Sequence, residues 1–243
     1  MALAPLDILN GSLSLASIVI AIIIGMSIIS KYFEINNSAY LIVGLEAFMI
    51  TEPWWPASTS FLVALFNNGQ GLEPGIYFII GNVGIPFAIV LWLLAFCNLA
   101  EIKKKKQILI FAILYGIMFE IVFFTLLFID PDLIGKLNGP IDVEYRSFVM
   151  IYLFSVVGII LITGIIFAKE SLKTENPEVR LRGKLILIAF ISFSIGAFLD
   201  TSVHLTEITL IIARLILIFA AFAWWAGFIM PEWMKRILFK EKE

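Results

Sequence analysis

The residues of this chain that could do chemistry are charged groups inside apolar segments. Glu52 lies within the stretch Thr-Glu-Pro-Trp-Trp-Pro at residues 51–56, and Glu120 and Arg214 interrupt two later apolar runs. A charge at the centre of a bilayer costs at least about 2.5–3.5 kcal/mol, so such residues usually serve a function. Buried acids and bases of this kind can bind an ion, hold a polar ligand or carry protons.

The composition predicts an integral membrane protein. Of the 243 residues, 61% are hydrophobic and 15% are charged, whereas soluble domains are about 45–50% apolar and about 25% charged. This excess of apolar residues is more than a buried core can hide, so we expect a multi-pass protein of the cell membrane. The net charge of −2 gives no sign of a nucleic-acid partner.

Apolar runs long enough to cross a bilayer divide the chain into seven spans of a single all-α domain, because a spanning helix needs about 20 apolar residues. The spans are predicted at residues 13–30, 39–66, 75–99, 107–129, 147–168, 184–204 and 206–230. The linkers are short, so consecutive helices should be antiparallel neighbours in one bundle.

Basic residues predict the direction of the bundle, because cytoplasmic loops carry most Lys and Arg. Fourteen of the 17 lie on one side: Lys31, residues 103–106, Lys169, Lys173, Arg180, Arg182, Lys184, Lys235, Arg236, Lys240 and Lys242. Only Lys136 and Arg146 lie on the other side, and Arg214 lies within a span. The N-terminus is therefore expected outside and the C-terminus in the cytoplasm.

The three charged residues are predicted to lie at similar depth. Glu52 falls at the middle of the second span, Glu120 about 3 Å outward of the middle of the fourth, and Arg214 about 6 Å outward of the middle of the seventh. In a sequential ring the seventh helix closes near the second, so the favoured ion pair is Arg214 with Glu52. Such a pair could form part of a ligand or ion site, or it could only fix the packing of the helices.

Proline and glycine predict two interruptions near this depth. Pro53 and Pro56 lack the N–H that an unbroken second span would need. The third span contains Asn82 within Gly-Asn-Val-Gly-Ile-Pro, with Pro86 at the end of that stretch. Interrupted spans of this kind point to midplane binding sites in transporters, although proline kinks without a ligand are also common. Trp54 and Trp55 are expected to line a cavity or to face lipid.

Further polar residues end the sixth span and begin the seventh. Asp200 and His204 are one helical turn apart and could form a hydrogen-bonded pair near Glu207. The simplest interpretation is a solvated helix end, and the alternative is a gate formed by His204 and Glu207. Glu46, also in the second span, could be buried and neutral.

Known seven-span classes can be compared with this pattern. Seven spans with an outside N-terminus resemble the topology of rhodopsins and G-protein-coupled receptors. The last span holds Arg214 and no lysine, so covalently bound retinal is excluded. One histidine in the whole chain is too few for the metal sites of intramembrane hydrolases or for a bis-histidine haem, and no catalytic motif is present. No enzyme activity, metal or cofactor is therefore expected.

The sequence favours a receptor- or sensor-like protein with a buried polar site near midplane. A small ligand would enter from outside, and its site would use Glu52, Trp54, Trp55, Asn82, Glu120, Asp200 and Arg214. The alternative is an ion- or proton-coupled transporter or channel that uses the interrupted second and third spans. The basic loops would face lipid headgroups or a cytosolic partner.

Overall fold

Residues 3–202 and 206–238 are described by the computed structural model, and nearly all of them are helical. The helices are α1 Pro5–Ile35, α2 Ser38–Met49, α3 Trp55–Phe66, α4 Pro74–Asn82, α5 Ile85–Leu99, α6 Lys105–Ile129, α7 Ser147–Leu172, α8 Pro177–Ser202, α9 Glu207–Ile229 and α10 Glu232–Leu238. Two strands, β1 Gly135–Asn138 and β2 Asp142–Tyr145, form an antiparallel hairpin.

Six helices, with α4 and α5 taken together as Pro74–Leu99, are long and apolar enough to cross a membrane. Many of their large apolar side chains remain exposed, as lipid contact requires, and those of α6 include Ile110, Phe111, Ile113, Leu114, Ile117, Met118, Ile121 and Phe128. The chain is therefore a helical, multi-pass membrane protein.

The predicted second span is divided between α2 and α3. Each is 12 residues long, or about 18 Å, which alone is too short to cross the hydrocarbon core. A short 3-10 helix, Glu52–Trp54, joins them. The hydroxyl groups of Ser58 and Thr59 donate to the carbonyls of Trp54 and Trp55, so side chains help to satisfy the backbone where the prolines interrupt the helix.

The helices form a ring. Along it, α1 packs against α2 and α3, α2 against α5, α5 against α7, α7 against α8, α8 against α9, and α9 against α1. Helix α6 packs on α5 outside this ring, and its Phe119 stacks on Tyr152 of α7 with 3.7 Å between ring centroids. The depth of a residue in the membrane therefore does not tell whether its helix lines the interior of the ring.

Glycines allow a close contact between α1 and α2. A Cβ atom added to Gly25 of α1 or to Gly44 of α2 would lie 2.7 Å from the backbone carbonyl oxygen of the other glycine. Small residues at this crossing allow the two backbones to touch, as at other membrane helix interfaces. The crossing holds α2 against α1 while the chain changes direction into α3.

The core fills the end of the bundle opposite the hairpin with aromatic rings. Trp92, Phe190 and Trp224 lie within 5.6 Å of one another by ring centroids. Trp224 is 8% exposed because α9 turns it toward α5 and α8. The centre of the ring is thus densely packed at this end.

The β-hairpin is a departure from the predicted all-α fold. It lies in the loop between α6 and α7, and three hydrogen bonds fix it to α3 and α4. Ser60 donates to the carbonyl of Pro140, Tyr77 donates to the carbonyl of Ile141, and the amide of Asn82 donates to the Tyr145 hydroxyl. The hairpin is therefore a docked cover over one end of the ring.

Candidate functional site

A cavity of about 860 Å³ lies beneath the hairpin. Its wall is built from the first turns of α1, the junction of α2 and α3, helices α4, α5, α7, α8 and α9, and the hairpin itself. Ligand pockets are typically about 300–1,000 Å³, so a small organic molecule would fit. No residue of α6 lines it.

An ion pair forms part of the cavity wall. Arg214 of α9 lies 3.4 Å from Asp200 of α8 and donates to the side-chain oxygen of Asn10 on α1 at 3.2 Å. The guanidinium group is also 5.4 Å from the ring centroid of Trp54, within range of a cation–π contact. Arg214 is only 3% exposed, so the pair lies in a largely desolvated environment.

The predicted partner of Arg214 was wrong. Arg214 pairs with Asp200, whereas Glu52 accepts a hydrogen bond from the backbone N–H of Gly84. The depth of Glu52 does bring it level with the interior, but its side chain points toward the junction of α4 and α5. Because α8 and α9 pack against each other, the carboxylate nearer to Arg214 comes from α8 and is that of Asp200.

Trp54 separates this cavity from a second, smaller one. Its indole N–H donates to Asp200 at 2.6 Å, and its ring meets Phe193 edge to face at 6.4 Å. Below these two rings lies an apolar pocket of about 80 Å³ that Glu46 also lines. Glu46 is 3% exposed, which confirms the burial predicted for it. It lines the smaller pocket.

Carboxyl groups dominate the charge around the larger cavity. Its ionisable lining residues are Asp7, Asp142, Glu144, Asp200, Arg214, Tyr77 and Tyr145. Burial raises the pKa of Asp142, and the charges of Asp200 and Asp7 raise it further, while hydrogen bonds from Val143 and Asn138 oppose the shift. Four acids therefore face one arginine that is already paired.

The other predicted site residues fall into two groups. Glu52, Asn82 and Glu120 lie behind the cavity wall, between the helix junctions and α6, and each has a buried oxygen without a hydrogen bond. Trp55 faces away, where it packs on Phe48 at 4.6 Å and donates to Thr51. The expected single site is thus divided into a cavity and a separate polar cluster.

Of the two residues of the predicted gate, His204 and Glu207, the structure describes only Glu207. Glu207 is exposed in the first turn of α9 and does not line the cavity. His204 lies outside the described residues. Within residues 3–202 and 206–238, no group of three or more His, Cys, Asp or Glu side chains is placed to hold a metal ion.

Sequence reasoning missed several residues that shape the site. Asn10, Tyr77, Asp142 and Tyr145 contact the cavity or its ion pair, and Tyr152 adds a buried hydroxyl group beside Glu120. A signal for the hairpin existed, because Asn138-Gly139 between apolar residues is a strong hairpin-turn dipeptide. Gly139 indeed has a φ of +91°.

The basic end of the bundle is partly committed to internal contacts. Arg182 donates to Glu178 and to the carbonyl of Phe228, while Lys235 of α10 lies 3.3 Å from Glu178. These contacts tie α8 to α9 and α10.

Comparison of the chain with protein-family models, curated proteins and solved structures finds no match.

Proposed function

We propose that this protein is a receptor- or sensor-like protein of the cell membrane that binds a small organic cation in the cavity under the hairpin. The single observation that carries the proposal is this cavity of about 860 Å³, walled by acidic and aromatic side chains. The short α2 and α3 together form one further span in this proposal, which gives seven spans with the N-terminus and the hairpin outside.

The charge of the wall supports a cationic ligand. Asp7, Asp142, Glu144 and Asp200 outnumber Arg214, and the charge of Arg214 is already balanced by Asp200. Asp142 lies within electrostatic reach of both Asp7 and Asp200, so an ammonium group near it would relieve mutual repulsion. Trp54, Tyr77 and Tyr145 would contact the apolar part of the ligand.

The opposite end of the bundle would face the cytoplasm. Its basic residues, including 103–106 and the loop between α7 and α8, would contact anionic lipid headgroups or a cytosolic partner that reads the state of the receptor. The effect of a ligand bound under the hairpin would be transmitted to this end through α8 and α9. The contacts between these helices extend from Asp200 and Arg214 to Arg182 and Phe228. We propose no enzyme activity and no nucleic-acid partner.

Amine binding should depend on Asp142. Phenethylamine is expected to raise the melting temperature of the detergent-purified protein, whereas 2-phenylethanol, which has the same ring but no charge, should not. Asp142→Asn should weaken amine binding by about tenfold, the equivalent of about 1.4 kcal/mol. Because burial raises the pKa of Asp142, binding to the parent protein should fall as the pH is lowered through that pKa.

The matched control is Glu73→Gln, which removes a carboxylate from the same end of the bundle but outside the cavity. Its amine affinity should equal that of the parent protein. Equal stabilisation by phenethylamine and 2-phenylethanol would contradict a cation-specific cavity. An equal loss of amine affinity in Asp142→Asn and Glu73→Gln would show that binding depends only on net charge.

The second candidate is an ion- or proton-coupled transporter. It is favoured by the contact between the two interrupted spans, where Glu52 at the α2–α3 junction meets Gly84 at the α4–α5 junction. In liposomes, a pH or Na⁺ gradient should then drive a flux that Glu52→Gln and Glu120→Gln abolish. A gradient that produces no flux through the reconstituted parent protein would reject transport and leave the receptor proposal standing.

A further inference from the structure

A cluster of buried oxygen atoms lies behind the cavity wall. Glu52 of the α2–α3 junction, Glu120 of α6 and Tyr152 of α7 contribute four oxygens that are inaccessible and make no hydrogen bond: one from Glu52, both from Glu120 and the Tyr152 hydroxyl. Buried polar atoms are rarely left without a partner. The cluster therefore calls for a bound group that the protein itself does not supply.

The Glu52 side chain is fixed in this cluster by the backbone. One carboxylate oxygen accepts the N–H of Gly84, and the other is unpartnered. A Cβ atom at position 84 would lie 2.5 Å from that second oxygen, so a larger residue at this position would displace the carboxylate from its place. Glu52 itself is 3% exposed.

Glu120 reaches the cluster because α6 approaches α5 closely. One turn before Glu120, Gly116 faces Pro86, and a Cβ atom there would lie 2.8 Å from the Pro86 Cβ. Phe119, the residue before Glu120, stacks on Tyr152, which places the Tyr152 hydroxyl within electrostatic reach of Glu120 and Glu52. Glu52, Glu120 and Tyr152 thus lie within electrostatic reach of one another although they come from three elements.

The cluster has an excess of acceptors and no cation. Glu52 and Glu120 lie close enough for their charges to interact, and neither forms an ion pair with any Lys or Arg of residues 3–202 and 206–238. Arg214, the one buried arginine of the described residues, is paired with Asp200. Two carboxylates in a membrane interior with no counter-charge would each be very costly.

We propose that the Glu52–Glu120–Tyr152 cluster binds one Na⁺ ion. A hard cation prefers carboxylate and other oxygen ligands, and four buried oxygens without a hydrogen-bond partner meet that preference. The cation would supply the counter-charge that the two carboxyl groups lack.

One residue of the cavity wall, Tyr145, also lies near this cluster. Tyr145 lines the cavity, accepts a hydrogen bond from the amide of Asn82 and lies within electrostatic reach of Glu52. Burial raises the pKa of the Tyr145 hydroxyl well above its ordinary value, so it stays neutral.

Cation-dependent stability tests the proposal on the full chain. The melting temperature of detergent-purified protein is measured in NaCl, KCl and CsCl at matched concentration. At about ten times its Kd, Na⁺ should raise the melting temperature by about 3–6 °C, and K⁺ and Cs⁺ should not. Isothermal titration calorimetry with NaCl should show one Na⁺ bound per chain.

Three variants locate the site. Glu120→Gln and Glu52→Gln should abolish the Na⁺ effect, and Tyr152→Phe should weaken Na⁺ binding several-fold, while Glu73→Gln should leave it intact. Glu120 lies on the helix outside the ring, so Glu120→Gln tests the site even if Glu52→Gln does not fold. Amine binding in the cavity should survive Glu120→Gln, which separates this proposal from the proposed function.

Two results would overturn the inference. Equal melting temperatures in NaCl, KCl and CsCl would show that the cluster does not bind Na⁺ in preference to K⁺ or Cs⁺. A Na⁺-specific shift that persists in both Glu52→Gln and Glu120→Gln would place the cation elsewhere in the protein. Na⁺ binding without flux in liposomes would support a structural or regulatory ion site and would count against transport.

Discussion

Asp200→Asn is expected to lower the free energy of unfolding by about 3–5 kcal/mol, because it leaves a buried arginine without its counter-charge. The asparagine can still accept the indole N–H of Trp54, so the change isolates the loss of the charge. Arg214 would keep only its hydrogen bond to Asn10 and its contact with the Trp54 ring. The loss can be measured by unfolding the protein in mixed detergent micelles.

The double variant decides whether Asp200 and Arg214 act as a pair. Arg214→Leu alone should also be strongly destabilising, but Asp200→Asn combined with Arg214→Leu should cost about 1–3 kcal/mol less than the sum of the single changes. Glu52→Gln combined with Arg214→Leu is the matched control and should be additive. Additivity in the Asp200 double variant would mean that the pair makes no net contribution.

Gly44→Ala is expected to lower the free energy of unfolding by about 2 kcal/mol, since inserting a methyl group into a tightly packed contact typically costs about 1–3 kcal/mol. The added Cβ would lie 2.7 Å from the carbonyl oxygen of Gly25 and 2.6 Å from a carbon of Ile29. A backbone carbonyl cannot rotate away as a side chain can, so α1 and α2 would have to separate. The same micelle unfolding assay measures the loss.

Gly158 provides the comparison for this prediction. It lies within α7, and a Cβ atom there would have no neighbour within 4 Å. Gly158→Ala should therefore leave stability unchanged or raise it by up to about 1 kcal/mol, because alanine favours a helix more than glycine does. Equal effects of Gly44→Ala and Gly158→Ala would contradict a close crossing of α1 and α2.

Helices and their interruptions were predictable because their signals are local. Apolar length identified the long helices, and the prolines at positions 53, 56 and 86 identified the two junctions, with helix ends within a few residues of those observed for α6, α7 and α9. The interruption at residues 51–54 and the burial of Glu52 follow from the same residues. Each of these features depends on neighbours in the sequence.

Contacts between helices were not predictable in the same way. The depths of Glu52, Glu120 and Arg214 suggested one shared site, but depth does not fix the direction in which a side chain points around its helix. Helix α6 lies outside the ring, so Glu120 reaches Glu52 from behind the wall. Asp200, expected at a solvated helix end, instead faces Arg214 because α8 and α9 are adjacent.

The hairpin affects the order in which this protein can assemble. Its three fixing hydrogen bonds join residues 63 to 80 positions apart, whereas each spanning helix satisfies its own backbone within one segment. An isolated two-stranded hairpin is marginally stable at best, so it gains its stability only after α3 and α4 are in place. The cavity therefore acquires its cover only after α3 and α4 are in place, and a chain in which the hairpin is not docked would leave the acidic wall of the ring open.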